Sequence, residues 1–434
     1  MIDLTRFRTF AAKAVAALAL AAGTSLSMAA SAPGWRIPGS FEPVDAVWLG
    51  FDAGHAEWTA QLVHALAPHV RVKMLVPNDD AAQQARATLF DHGIDVERLQ
   101  LHVDAQAMFF MQDASVFATG PGGQRGTVDF AFSHYGLAAW CARRHADDEA
   151  QAAECAGSAQ PPRDGLGRAI AAFARARVFD SAIALEGGGV EVNGQGLMIA
   201  NEALLRTRNP LLSREQMEQE LLALPGMRKV VWLPEGLAED PHLRGTIVGQ
   251  RVGWGTGGHT DQFVRFADGR TVMLAWVEPA QAALHPVARL NRQRMQRNFE
   301  ILSRATDADG RPLKVVKVPM PRPIERAVVL RDDADSRFSE QWRADDFAPG
   351  EGRRTGQTLW QVANASYMNF VAVNGVVVLP DYAAHGTPAA RQRQVRSLFE
   401  RVFPGRSIRF VDSLGANWYG GGPHCATLSE PAGR

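Results

Sequence analysis

Short apolar runs alternate along this chain with longer stretches whose apolar residues recur every three or four positions. Ala46–Phe51 and Val72–Pro77 read as buried strands, and the segment from Ala56 to Pro68 between them has helical spacing. Further strands are predicted over Lys229–Leu233, Thr271–Val277, Leu313–Val318 and Ser407–Val411. Phe370–Leu379 reads as a strand pair folded at Asn374-Gly375, a dipeptide that suits a two-residue hairpin turn. Helices are expected over Gly167–Arg177, Ser213–Leu224 and Ala389–Val402, the second opened by a capping box of Ser213 with Gln216. The alternation is that of an α/β protein. Polar stretches interrupt it twice. Cys141 to Asp164 reads as a surface loop, and Asp332 to Gln357, with many charges and few large apolar residues, as an exposed excursion. Neither looks like an interdomain linker, and no repeat of fixed 20 to 50 residue period stands out, so a single catalytic domain over residues 33–434 is expected.

Composition adds little except at the amino terminus. With 46 basic and 46 acidic residues the formal charge is zero, which offers no argument for nucleic acid or an anionic membrane as a partner. Arg6, Arg8 and Lys13 precede an apolar run from Ala14 to Ala22 and then Ala30-Ser31-Ala32. That is the layout of a secretory signal peptide over residues 1–32, too short in its apolar part to span a bilayer. A periplasmic or secreted mature protein without a membrane span follows as an expectation. Export gives the three cysteines meaning. Cys141 and Cys155 can close a short loop, for about 3 kcal/mol in the loop-entropy account, or remain two inert thiols. Pairing them leaves Cys425 free.

The candidate chemistry sits on glycine-rich turns. Gly420-Gly421-Gly422-Pro423-His424-Cys425-Ala426 delivers that thiol after three glycines, which permit positive φ and close approach of a ligand; the competing reading is a small buried hydrophobe. Glu186-Gly187-Gly188-Gly189 follows the apolar run Ala182–Leu185, so a carboxylate stands at a strand end or on a solvent-facing turn. In Gly257-Gly258-His259-Thr260-Asp261, an extended backbone would point His259 and Asp261 to one face, whether as a proton-transfer pair or as a core histidine held by a structural aspartate. Asp113, after Met111-Gln112, is a further carboxylate or a plain cap, and Asn369 supplies an amide just ahead of the hairpin. A thiol, an imidazole and several carboxylates suit a flat guanidinium. Carboxylates grip it bidentately, the thiol attacks its carbon, and the imidazole protonates the departing amine and then activates water.

Taken in order and spacing, Glu186-Gly187-Gly188, Gly258-His259-Thr260-Asp261 and Gly421-Gly422-Pro423-His424-Cys425 resemble the motifs of the agmatine deiminases and the bacterial peptidylarginine deiminases. Arg208-Asn209-Pro210, Val231-Trp232-Leu233-Pro234, Leu274-Ala275-Trp276 and Asn364 to Phe370 extend the likeness over about residues 41–431. The resemblance implies a pentein fold, a five-bladed α/β propeller of ββαβ units. It implies Cys425 as nucleophile through a thiouronium intermediate, His259 as general acid and base, Asp113 and Asp261 on the guanidinium, and Glu186 beside His259 or the substrate. No cofactor or metal is expected. The partner is a small cationic guanidino substrate or an arginine-containing peptide; the oligomeric state is not read. The chain departs from the family at Gln112, where arginine is usual, at Ala114-Ser115, where Gly-Pro is common, and at Gly257, where agmatine deiminases tend to carry an aspartate. An exported guanidinium-binding protein without catalysis is the alternative that these departures suggest.

Overall fold

One strand pattern recurs five times in the computed structural model, which describes residues 33–157, 165–332 and 341–433. In each unit an antiparallel pair is extended by a parallel third strand. The second unit joins Val116–Thr119, Arg125–Asp129 and Arg177–Asp180; the third joins Glu191–Val192, Leu197–Asn201 and Lys229–Leu233. The fourth joins Val264–Phe266, Thr271–Trp276 and Lys314–Pro319, and the fifth Val371–Val373, Val376–Asp381 and Ser407–Asp412. The first unit is completed from the far end of the chain. Thr427–Pro431 pairs antiparallel with Val44–Gly50, which runs parallel to Arg71–Val76. The two ends of the described chain therefore share one sheet.

Parallel neighbours need a crossover, and helices supply it in every unit. Ala56–Leu66 buries Trp58, Leu62, Val63 and Leu66 on one side, as its apolar spacing requires. Arg214–Ala223 starts at the expected capping box, Ser213 and Gln216 each accepting the other's backbone N–H. Ala389–Val402 presses Val395 and Phe399 into the largest core cluster, against Phe370 and Phe403. The Asn374-Gly375 hairpin forms with Val373 opposite Val376.

Three local expectations are corrected. Ala182–Leu185 is not a strand; its Ile183 and Leu185 are buried, but the backbone runs straight into the Gly187–Gly189 turn. Residues 141–157 are mostly helix rather than loop. Leu137–Arg144 and Glu149–Gly157 lie side by side, stapled by the Cys141–Cys155 disulfide with Cα atoms 5.8 Å apart; residues 158–164 lie outside the described part. The described portion of Asp332 to Gln357 has a core of its own, in which Trp342 and Phe347 are buried and the Arg244 guanidinium pairs with Asp346 at 2.8 Å. It belongs to a further sheet, ordered His242–Val248, Arg251–Thr256, Thr358–Val362, Glu325–Arg331, Trp342–Arg343. One of the charges there, Asp346, belongs to a buried ion pair, while residues 349–356 are mostly exposed as expected. The expected signal segment lies outside the described residues, among which no helix is long and apolar enough to cross a membrane.

Candidate active site

Every candidate residue stands on the turn that enters the first strand of a unit. Asp113 lies on the turn Met111–Ala114 ahead of Val116–Thr119, and Glu186 precedes the Gly187–Gly189 turn ahead of Glu191–Val192. His259 and Asp261 bracket the start of the turn Thr260–Gln262 ahead of Val264–Phe266. Asn369 and Cys425 each end two residues before a strand, Val371–Val373 and Thr427–Pro431. Five equivalent turns thus meet. His259 and Asp261 do so on a tight 3-10 turn rather than on the extended backbone considered from sequence, so they approach different neighbours instead of sharing a face.

Cys425 is buried, and its Sγ accepts from Asn369 Nδ2 at 3.0 Å and Gln262 Nε2 at 3.5 Å and donates to Asp261 Oδ2 at 3.3 Å. The Asn369 carbonyl oxygen of the side chain accepts in turn from the backbone N–H of His424 and Cys425, which fixes the thiol loop. Among the three glycines only Gly420 takes positive φ, at +87°. Its neighbours are needed for approach: a Cβ on Gly421 would lie 2.1 Å from the Phe110 ring, and one on Gly422 2.7 Å from Asn369 Oδ1. Burial, then Asp261 and Asp113, push the thiol pKa well above its ordinary value. His424 Nδ1 donates to Asp261 Oδ2 at 2.8 Å; burial, then Arg265, hold that imidazole down at about 4, so it is a neutral donor. Asp261 is held low: burial opposes its charge, but the His424 hydrogen bond and nearby cations outweigh it.

His259 is fully buried between carboxylates. Its Nε2 lies 3.1 Å from Glu186 Oε2 and its Nδ1 3.5 Å from Asp113 Oδ1. Burial disfavours the imidazolium, yet Asp113, Glu186 and Asp261 together raise its pKa to about 9. Asp113 is raised to about 7, by burial first, with Asp261 and Glu186 adding and His259 and the Tyr135 hydroxyl opposing; that hydroxyl donates to Asp113 Oδ2 at 2.9 Å. Glu186 behaves oppositely. Burial works against its charge, but the Arg208 guanidinium, 2.8 Å away with both side chains fully buried, and then His259 hold it at about 2. Asp240 accepts from the backbone N–H groups of Thr256, Gly258 and His259 and so shapes the loop that carries the imidazole.

The structure brings all six sequence-predicted residues together: Cys425, His259, Glu186, Asp113, Asp261 and Asn369. Sequence reasoning missed Tyr135, Arg208, Asp240, Gln262 and His424 as parts of the site. His424 and Arg208 stood inside quoted motifs, and Gln262 directly follows Asp261; for His424 and Gln262, adjacency to a candidate was the available signal. Tyr135 and Asp240 come from elsewhere in the chain and carried none. Gly188 shows how tight the assembly is, since a Cβ there would stand 2.5 Å from His259 Nδ1 and 2.8 Å from Asp113 Oδ1. Its φ is not positive, so Gly188→Ala leaves the backbone unstrained and moves only the imidazole and carboxylate. A displacement on the ångström scale is worth about 10²-fold in kcat. Steady-state kinetics are expected to show that loss in kcat; a variant as active as the parent would show that this contact yields freely.

A fivefold strand unit with a thiol, an imidazole and carboxylates on its entering turns defines a pentein of the guanidino-group-modifying class. The family model of the Porphyromonas-type peptidyl-arginine deiminases matches residues 36–431. The chain belongs to that family, and with it to the hydrolases that act on carbon–nitrogen bonds other than peptide bonds. It is 28% identical to an agmatine deiminase of Stutzerimonas stutzeri over 94% of this chain and 99% of that protein. Among solved structures it is similar to the agmatine deiminase of Enterococcus faecalis, with a TM-score of 0.69 and 24% identity over 92% of this chain and 97% of that one. A Porphyromonas gingivalis protein described as an arginine deiminase gives a TM-score of 0.62 at 20% identity, over 92% of this chain and 99% of that one.

Proposed function

We propose that the protein hydrolyses a guanidinium group, on agmatine or an arginyl side chain, to a ureido product and ammonia through a covalent intermediate on Cys425. The carrying observation is the arrangement at Asp261, whose Oδ2 faces the thiol while its buried Oδ1 makes no hydrogen bond among the described residues. Glu186 is offset by Arg208 and Asp113 by the His259 imidazolium, whereas Asp261, held low by the His424 hydrogen bond, His259 and Arg265, keeps one carboxylate oxygen open to a bound guanidinium.

The pKa shifts support an order of events. In the free site the thiol is protonated and His259 is charged. Arrival of a guanidinium against Asp113 and Asp261 lowers the thiol pKa, the thiol proton passes to solvent water, and the thiolate attacks the guanidinium carbon. His259 gives its proton to the amine as the carbon–nitrogen bond breaks, releasing ammonia and leaving a thiouronium. The neutral imidazole then takes a proton from water, the resulting hydroxyl adds to the same carbon, and the carbon–sulfur bond breaks as the hydroxyl proton passes to the departing sulfur, returning the thiol and the ureido product. Export completes the proposal. The amino-terminal pattern supports it, as does the Cys141–Cys155 disulfide, a bond suited to an oxidising compartment.

Ammonia release from agmatine, free arginine and an arginyl peptide, measured across pH, tests this reading. Below the Asp113 pKa of about 7 that carboxyl is protonated and loses its grip on a cation; above about 9 His259 is neutral and cannot protonate the amine. A bell-shaped kcat/KM with limbs near those values is expected, each belonging to the coupled set rather than to one residue. Binding without ammonia from any of the three would make this a guanidinium-binding protein instead.

A further inference from the structure

A cleft of about 620 Å³ adjoins the site, walled by Phe109, Phe110, Tyr135, Trp254, Trp418 and Tyr419. It is continuous with the catalytic turns. Tyr135 bonds Asp113, Phe110 packs on Gly421 and begins the Asp113 turn, and the Trp254–Thr256 edge leads into the loop that carries His259. Part of the wall is built from sequence that the ββαβ units do not need. Leu243 and Trp254 come from the additional sheet, and Tyr135 from the segment leading into the disulfide-stapled helices.

Two features decide what such a cleft suits. First, the rings are committed to one another: Trp254 meets Tyr419 edge-on at 5.1 Å, Tyr419 meets His55 edge-on at 5.5 Å, and His55 stacks on Phe109 at 4.7 Å. That is an apolar slot with edges and faces on offer, not a set of faces converging on a point charge. The lining carboxylate, Asp52, sits half-exposed at the rim, accepts from the Gly54 N–H and stands beside His55. Second, the slot is held in a costly shape, since the lining residues Tyr135 and Leu243 adopt φ of +58° and +55°, a conformation that bulky side chains resist. Its volume lies within the roughly 300–1,000 Å³ of sites for drug-sized ligands, far more than a four-carbon chain with a terminal ammonium fills.

Resting on the deiminase reading above, we infer that the substrate is a guanidine whose far end carries a neutral aromatic group, seated in this slot while the guanidinium lies at Cys425. An aryl amide fits: its ring lies in the slot against the Trp254–Tyr419 pair, and it brings no second positive charge into apolar surroundings.

N-benzoylagmatine and agmatine share the guanidine and the spacer and differ only in a neutral aryl amide against an ammonium. Ammonia release by the mature protein is expected to show kcat/KM for N-benzoylagmatine at least about tenfold above that for agmatine, the gain a buried ring provides. Trp254→Ala and, separately, Tyr419→Ala are expected to reduce that ratio toward one, a change that general loss of stability, which scales both substrates together, would not produce. Deimination of both compounds with equal or better use of agmatine would make the cleft an ammonium site and overturn this inference while leaving the deiminase reading intact. No ammonia from either compound would overturn both.

Discussion

Cys425→Ala is expected to lower ammonia release by more than about 10⁴-fold, to the level of the uncatalysed reaction, with the fold retained. Removing a covalent nucleophile leaves only binding and charge stabilisation, and deletions of this kind are among the largest single effects in enzymes. The fold should survive because the Asn369 side-chain oxygen still accepts from the backbone of His424 and residue 425, so the loop keeps its anchor. The charge state of the thiol gives a second readout. Because burial and two carboxylates disfavour the thiolate, neutral iodoacetamide should label the free protein slowly near neutral pH. A cationic alkylator of similar size, 2-chloroacetamidine, brings the balancing charge with it and should label faster, with the adduct on Cys425 by peptide mass. Substantial turnover by the alanine variant, or equal labelling by the two reagents, would refute the assignment.

Arg208→Met is expected to have the largest effect on stability, about 3–5 kcal/mol, read as a lower urea midpoint. Glu186 and Arg208 are both fully buried, and removing one partner strands the other's charge in the interior. The double variant Glu186→Gln with Arg208→Met should recover much of the loss, because no lone charge remains; a single variant as stable as the parent would show that His259 alone suffices for Glu186. The pH dependence carries the same logic. Glu186 has its folded pKa depressed from 4.5 to about 2, so its contribution is present above the unfolded value and is lost as pH falls toward 2. His259 has its folded pKa raised from 6.5 to about 9, so its contribution is present below 6.5 and is lost as pH rises through 9. In the single variant the acid-side loss should begin at higher pH, since Glu186 no longer has Arg208 to hold it ionised.

How much was legible follows from what each signal depends on. The strands, the crossover helices, the Ser213 capping box and the Asn374-Gly375 hairpin depend on neighbours within one element, and the alternation of apolar and polar positions carries that information. Glycine-flanked His259, Glu186 and Cys425 were visible because turns that approach a ligand need small residues in adjacent positions. The additional sheet was misread for a related reason. Its Arg244–Asp346 ion pair looks, one residue at a time, like surface charge.

Nothing local tells Tyr135 that it will bond Asp113, or Arg208 that it will neutralise Glu186. The sequence by itself determined the α/β class, the six residues that carry the proposed chemistry and the odd thiol, because each is written in a short window. Only the tertiary structure decided that five equivalent turns meet, that the pKa values of both His259 and Cys425 are pushed up, and that an aromatic cleft adjoins them. Those properties are sums over groups brought together from distant parts of the chain, and burial, which sets the strength of every charge in the site, exists only once the units have packed.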